Sequence, residues 1–287
     1  MAEVDYNKIK KICSKLDIVD YVINDDGTLD VEGDVFIYEG EFAKLPLRFN
    51  KVGGDFYCNH NNLTTLIGSP VFVGGEFDCS ENNLTSLLHS PIEVGGDFDC
   101  ANNRLTSLKH LTPKIGRGIN LFSNAIKSLE WCPKTINGSF YCNGNQITTL
   151  KHSPSIVNGD FYCSSNPLTS LEYSPIKVGG DFDFSDTKVS SLKYCPEYIN
   201  GNIYIGCNEI NSLDGFNPKL IKGLRFNHTN FLPAHFVKKY NQIINSGNDE
   251  LESIFLKYYN HYEVWTSGVY SNYNMNLLLS DIMDGLR

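Results

Sequence analysis

Cysteine and carboxylate side chains are the chemically active groups that recur in this 287-residue chain, and both recur every 21 residues. A column of five cysteines could in principle offer thiolates to zinc, but zinc needs four convergent ligands. Other repeats place Leu, Ile or Phe at the same position, so we predict small buried hydrophobic residues, no metal and no other cofactor. The column consists of Cys58, Cys79, Cys100, Cys142 and Cys163.

Acidic and aromatic side chains alternate with these apolar positions, and we predict that they form one surface that binds a partner. The acids are Asp55, Glu76, Asp78, Glu81, Asp97, Asp99, Asp160, Asp181, Asp183 and Asp186. The aromatic members are Tyr57, Phe122, Tyr141, Tyr162 and Tyr204. These columns contain no Lys or Arg, and the whole chain has a net charge of -9, so the rest of the chain is close to neutral.

The elements that must position these side chains follow from the apolar columns of the repeat. Phe56, Phe77 and Phe98 occupy one column, and each is followed two residues later by a cysteine. Apolar residues two apart predict a short strand. An Asn column follows the strand, and we expect each Asn to turn the chain inward and to bond backbone groups that would otherwise be buried without a partner.

This pattern of strand, Asn and Leu resembles the leucine-rich repeat, in a short form in which Val-Gly-Gly replaces the first Leu-x-x. The resemblance covers residues 31–231. More narrowly, the run V-G-G-D-F-D-C-x-x-N-x-L-T-S-L at 94–108 resembles leucine-rich-repeat proteins of large tailed phages and giant viruses. The resemblance implies an α/β repeat solenoid of about ten 21-residue coils, with a parallel sheet on its concave face and helical N- and C-terminal caps.

The two ends of the chain depart from the repeat and predict three regions. Residues 1–34 form an N-terminal cap, with a helix and then a hairpin that turns at Asp26-Gly27. Residues 35–231 form the solenoid. Residues 232–287 form a mainly helical C-terminal cap or a small domain, with helices at 233–245 and 249–259, a hairpin about Ser267-Gly268 and a final helix. This last region is a possible second binding site.

Composition and motifs exclude several classes of function. A net charge of -9 disfavours direct binding to nucleic acid or to an anionic membrane, and no apolar run has the length of a membrane span. The chain contains no phosphate loop, nucleophile elbow or His-Glu-x-x-His motif, so we predict that it is not an enzyme. Nine cysteines without a signal peptide predict a reducing, cytoplasmic location.

Like charges on adjacent strands cost about 0.2–1 kcal/mol per pair, which favours a binding role for the acidic surface over folding alone. We therefore predict a protein-binding module that uses an acidic, Tyr-rich concave face against a basic protein. The phage resemblance implies an inhibitor of a host nucleic-acid-handling or defence protein, such as a CRISPR component or a nuclease. A virion structural or assembly protein, a calcium-responsive adhesin or sensor and an ordinary solvated sheet face are the alternatives.

Overall fold

The computed structural model describes residues 4–38, 40–206, 210, 224–225, 265–266, 269–270 and 272–283. The chain forms a parallel-strand β-solenoid of about eight turns. The repeat predicts a solenoid with parallel strands, and this part of the prediction is confirmed. Most of the last two of the ten predicted coils lies outside the described residues. In the described coils the segments between strands are turns and contain no helix, so the α/β class stays a prediction. The number of ten coils also stays a prediction.

The strands are short, two to four residues each. In chain order the elements are α1 Tyr6–Lys15, β1 Tyr21–Ile23, β2 Leu29–Val31, β3 Val35–Phe36, β4 Phe49–Val52, β5 Phe56–Tyr57, β6 Phe72–Val73, β7 Phe77–Asp78, β8 Glu93–Val94, β9 Phe98–Asp99, β10 Lys114–Ile115, β11 Ile119–Asn120, β12 Thr135–Ile136, β13 Phe140–Tyr141, β14 Ile156–Val157, β15 Phe161–Tyr162, β16 Lys177–Val178, β17 Phe182–Asp183, β18 Tyr198–Ile199, β19 Ile203–Tyr204, β20 Leu224–Arg225, β21 Trp265–Thr266, β22 Val269–Tyr270 and α2 Asn272–Met283.

Two lines of strands run along the solenoid, whereas the sequence predicted one. The predicted line is a ten-stranded sheet from β3 to β20, in which Phe56 pairs with Phe77 and Phe77 with Phe98 in parallel register. The second line comes from the residues just before the position that holds Gly-Gly in several of the repeats. It forms a six-stranded sheet that ends at β10 and a four-stranded sheet from β12 to β18. Each complete coil therefore contributes one strand to each line.

The N-terminal residues form a helix and a hairpin that pack on the first coil. Asp5 caps α1 by accepting a hydrogen bond from the Lys8 backbone N–H at 2.9 Å, and Cys13 is fully buried. Strands β1 and β2 are antiparallel, and Gly27 in the turn has a φ of 78°, a conformation that glycine adopts at little cost. Strand β2 then pairs in parallel with β4. The helix and the hairpin thus lie where the sequence predicted them.

The described C-terminal residues form a short antiparallel hairpin, β21 with β22, and the helix α2. Met275 and Leu278 on α2 are fully buried. The pairing of β21 with β22 agrees with the hairpin predicted for this part of the chain, whose turn lies outside the described residues. The helices predicted at 233–245 and 249–259 lie outside the described residues, and the domain boundaries stay predictions.

The core is a set of columns of identical or similar side chains. Phe56, Phe77 and Phe98 stack with centroids 5.7 and 5.4 Å apart, and a second stack begins at Phe140. The intervening coil has Ile119 at this position, which interrupts the row of rings. All five cysteines of the column have a relative exposure of 0%, and burial raises the pKa of each thiol. Their predicted position in the core is confirmed.

The Asn column joins successive coils through side-chain hydrogen bonds. The Asn166 amide donates to the carbonyls of Cys142, Cys163 and Ser164 at 3.0, 3.1 and 3.2 Å, and its Oδ1 accepts from the Ile147 N–H at 2.9 Å. One buried side chain thus satisfies backbone groups of its own coil and of the coil before it. The same pattern occurs at Asn82, Asn103, Asn124 and Asn145.

Bulky residues occupy a left-handed turn in each central coil. Tyr173, with a φ of 68°, and Trp131, with a φ of 79°, are both largely exposed. The equivalent residue in an earlier coil is Gly68, also with a positive φ. Left-handed backbone costs an L-residue about 1–2 kcal/mol, which glycine avoids. The other members of the column are His89, His110, His152 and Tyr194.

We predict that Asn166→Ala lowers the free energy of unfolding by about 3 kcal/mol, because it leaves the Ile147 N–H and the Cys142 carbonyl buried without this partner. Urea denaturation followed by circular dichroism measures the change. Asn62→Ala, at an exposed Asn outside the column, is the control and should change stability by less than about 0.5 kcal/mol. Equal effects of the two substitutions would contradict the role of the column.

We predict that Tyr173→Gly is more stable than Tyr173→Ala by about 1 kcal/mol, because both remove the exposed ring but only glycine relieves the left-handed backbone. Urea denaturation of the two variants gives the difference directly. A Tyr173→Ala variant as stable as Tyr173→Gly would show that this turn is not left-handed in solution.

Candidate functional site

The predicted binding residues lie on the outward side of the ten-stranded sheet, which we call the acidic face. Residues alternate in direction along a strand, so the buried Phe56 is followed by Tyr57 on the outward side. The parallel register places Tyr57 beside Asp78 and Asp78 beside Asp99. The structure therefore brings together side chains far apart in sequence. The face consists of Asp55, Tyr57, Glu76, Asp78, Glu81, Asp97, Asp99, Phe122, Tyr141, Asp160, Tyr162, Asp181, Asp183, Asp186 and Tyr204.

The acids that precede the strands form a first row that bonds to the backbone of the next coil. Asp55 Oδ1 accepts from the Glu76 N–H at 2.6 Å. Asp97 Oδ1 accepts from the Gly118 N–H at 2.6 Å, and Asp181 Oδ1 accepts from the Asn202 N–H at 2.7 Å. These carboxylates therefore stabilise the contact between coils, a role that the sequence analysis did not assign to them.

The acids within the strands form a second row that bonds to the turn of its own coil. Asp78 Oδ1 accepts from the Ser80 N–H and Asp99 Oδ1 from the Ala101 N–H, both at 2.8 Å. Asp183 Oδ1 accepts from both the N–H and the hydroxyl of Ser185. Each carboxylate in this row thus fixes the chain where it leaves the strand.

The centre of the face holds carboxylates that are partly withdrawn from water. Asp78 is 9% exposed, and burial raises its pKa. Burial also raises the pKa of Asp99 to about 6, with a further contribution from the charge of Asp78 and opposition from the Ala101 hydrogen bond. The pKa of Glu76 is raised for the same main reason. Ionising this cluster at neutral pH therefore costs free energy.

No basic side chain of the described residues forms an ion pair with these acids. Within the described part of the chain the single ion pair joins Lys114 and Glu93, which lie on the other line of strands, at 3.3 Å. Glu81 and Asp186 are exposed in the turns after the strands. The acidic face thus presents a strong negative charge to solvent.

The aromatic side chains of the face contact its acids. Tyr57 donates from its hydroxyl to Glu76 Oε2 at 3.1 Å and to Asp55 Oδ2 at 3.3 Å. Tyr141 donates to Asp160 Oδ2 at 3.4 Å, and its ring packs edge-on against Tyr162, with centroids 5.1 Å apart. These contacts orient the rings. They are therefore anchors of fixed geometry along the row of acids.

Three residues at the N-terminal end of the face were missed by the sequence analysis. Phe36 stacks on Tyr57 with centroids 5.3 Å apart and is 47% exposed, and Tyr38 is also exposed. Asp34 Oδ1 accepts from the Asp55 N–H at 2.8 Å and begins the first row. All three are found by extending the same columns back by one period of 21 residues.

No protein-family model, no curated protein and no solved structure matches this chain. The geometry of the acidic face is therefore the basis for assigning a function. In the part of the chain that the structure describes, no three His, Cys, Asp or Glu side chains are grouped so that they could hold a metal ion. No helix among the described residues has the length and apolar character needed to cross a bilayer.

We predict that Asp99→Asn removes about 1–3 kcal/mol of the loss in the free energy of unfolding that the wild type shows between about pH 4 and pH 7, since each pKa unit corresponds to about 1.4 kcal/mol. The raised pKa means that the folded state holds the proton more tightly than the unfolded state, so wild-type stability falls as the pH rises from about 4 to about 6. The variant should therefore gain stability relative to wild type over this range, whereas the lost hydrogen bond from the Asn120 amide to Asp99 Oδ2 lowers its stability equally at every pH. Urea denaturation across this range measures both effects.

The substitution keeps the hydrogen bond to the turn, because the next coil has Asn120 at the same position, and its Oδ1 accepts the Phe122 N–H at 3.0 Å. Asp186→Asn, at an exposed acid, is the matched control and should leave the pH dependence of stability as it is in the wild type. A difference in stability between Asp99→Asn and wild type that stays constant from about pH 4 to about pH 7 would contradict the cost assigned to the buried charge.

Proposed function

We propose that this protein is a non-enzymatic protein-binding module whose acidic face binds a basic protein surface. The proposal includes the finer fold: a leucine-rich-repeat solenoid of the α/β class, with about ten coils, a concave acidic face and helical caps at both ends. It also places the protein in the cytoplasm. The observation that carries the proposal is the concentration of carboxylates on one face without basic partners among the described residues.

The hydrogen bonds of the two rows do not require negative charge. In the first row, the Ser139 hydroxyl accepts the Asp160 N–H at 3.0 Å, as an aspartate does in other coils. In the second row, Asn120 makes the same turn as Asp99. Neutral side chains therefore make these bonds to the backbone as well as carboxylates do. The charge of the remaining acids costs stability, and binding to a cationic partner is the role that gives it a use.

The geometry of the aromatic residues supports a protein partner. Tyr supplies a large contact area at a low cost in side-chain entropy, and buried aromatic anchors slow the dissociation of complexes. The rings of Tyr57 and Tyr141 are already oriented by hydrogen bonds to Glu76 and Asp160. A partner that pairs with the acids would meet these rings in a fixed position.

A nucleic-acid-handling protein has the complementary chemistry, because its binding groove is lined with Lys and Arg that normally contact phosphates. Carboxylates spaced along successive coils would occupy such a groove and exclude the nucleic acid. Together with the phage resemblance, this complementarity leads us to propose a host defence protein, such as a CRISPR component or a nuclease, as the partner and inhibition as the activity.

The test compares two triple variants that remove the same amount of charge. The face variant combines Asp55→Asn, Asp160→Asn and Asp181→Asn, which keep the oxygens that accept the N–H groups of the next coil. The control variant changes exposed acids elsewhere in the chain: Glu32→Gln, Glu130→Gln and Glu172→Gln. Circular dichroism verifies that both are folded.

Each form is immobilised and exposed to a nuclease-treated bacterial lysate, and the captured proteins are identified by mass spectrometry. We expect wild type and control to capture a protein with a basic nucleic-acid-binding groove, which a DNA duplex displaces. The association rate of this captured protein with the face variant should be about 10-fold lower than with the wild type, and that rate should depend less on salt concentration. Equal capture by all three forms, or capture of no basic protein, would reject the proposal.

A further inference from the structure

The acidic face contains a depression of about 620 Å³, beside β11. It lies where the row of acids is interrupted, because Gly118 occupies the position that Asp97 has one coil earlier and Ser139 follows one coil later. A Cβ atom at Gly118 would lie 2.7 Å from the Ser139 carbonyl oxygen and 2.9 Å from Asp97 Oδ1. No side chain projects from Gly118 into the depression, which is within the usual size range of ligand pockets, about 300–1,000 Å³.

One wall of the depression is formed by Glu76, Asp97 and Asp99. Both oxygens of Asp99 accept hydrogen bonds, Oδ1 from the Ala101 N–H and Oδ2 from the Asn120 amide at 2.8 Å. Asp97 and Glu76 each accept through one oxygen only, from the Gly118 N–H and the Tyr57 hydroxyl. Asp97 Oδ2 and Glu76 Oε1 therefore receive no hydrogen bond from the described residues, and both belong to side chains of the wall.

The opposite wall is the ring of Tyr141. Its hydroxyl donates to Asp160 Oδ2 on the following coil, so the side chain points away from the coil that carries Asn120. The depression thus combines carboxylate oxygens on one side with an aromatic ring on the other. A planar cation can bond the first and contact the second.

The rim carries one basic residue, Arg117, whose side chain is exposed and forms no ion pair within the described part of the chain. Its position in the repeat is Gly96 one coil earlier and Gly138 one coil later. Arg117 therefore does not neutralise the carboxylates of the wall, which are left to bind a cation from outside.

We propose that this depression is the anchor pocket of the acidic face and that it takes an arginine side chain of the partner. The inference rests on the proposed function. A guanidinium group fits the lining better than an ammonium group, because its planar fork can bond the Asp97 carboxylate while it lies against the Tyr141 ring. In the proposed complex, Asp97 accepts hydrogen bonds from the guanidinium group, and Glu76 and Asp99 add negative charge beside it.

The repeat supplies a variant that fills the depression without a foreign side chain. Tyr occupies the position of Asn120 in four other coils, at Tyr57, Tyr141, Tyr162 and Tyr204. Asn120→Tyr should therefore fold and block the pocket. Arg117→Gly, which restores the residue of the neighbouring coils, removes the rim cation and should strengthen binding of a positively charged ligand.

The probe is the peptide acetyl-Gly-Arg-Gly-amide, titrated into the isotope-labelled full chain and followed by NMR. We expect the largest shift changes at the Gly118 amide and the Asn120 side-chain amide. Affinity should fall at least 10-fold in Asn120→Tyr and rise a few-fold in Arg117→Gly. The same peptide with citrulline, the uncharged analogue of arginine, should bind at least 10-fold more weakly. Circular dichroism verifies the fold of each variant.

Equal binding of the citrulline peptide, unchanged affinity in folded Asn120→Tyr, or shifts spread evenly along the acidic face would overturn the pocket. These results are separable from those that test the proposed function. Capture of a basic protein with equal affinity by wild type and Asn120→Tyr would leave the proposed function standing and remove the pocket. Peptide binding at Gly118 without capture of any basic protein would leave the pocket standing and reject the proposed function.

Discussion

The fold depends on the need of each coil to satisfy its backbone groups through its neighbours. Strands of two residues make too few hydrogen bonds to fix a coil by themselves. The Asn column supplies the rest, because one amide such as Asn166 bonds carbonyls of two coils and accepts an N–H from the earlier one. Once this bonding sets the turn, the apolar columns stack in register and form a continuous core.

The acidic face extends the same constraint to the outer surface. Carboxylates of the first row accept N–H groups of the next coil, and those of the second row fix the turns after the strands. The negative charge is not needed for these bonds to the backbone, since the neutral side chains of Ser139 and Asn120 make equivalent ones. A surface can therefore serve the fold through its oxygen atoms and serve binding through its charge, and substitutions between Asp and Asn separate the two.

The interruption of the row gives the face its shape. A regular repeat produces a surface of uniform rows, with little to distinguish one coil from the next. Gly118 and Ser139 break the row of acids, and the ring of Tyr141 leans toward Asp160. The result is a depression beside a group of acids whose ionisation is costly, which is a more specific feature than the charge of the face as a whole.

The sequence by itself determined the period, the strand at the Phe column, the buried cysteines and the Asn column, because a strict repeat forces equivalent residues into equivalent environments. It also placed the acids on one face, since alternation along a strand is a local property. Tertiary structure decided the second line of strands, the carboxylate bonds between coils and the left-handed turns. These features depend on how closely one coil approaches the next. The depression at Gly118 depends on residues from four coils, so one period of the sequence cannot predict it.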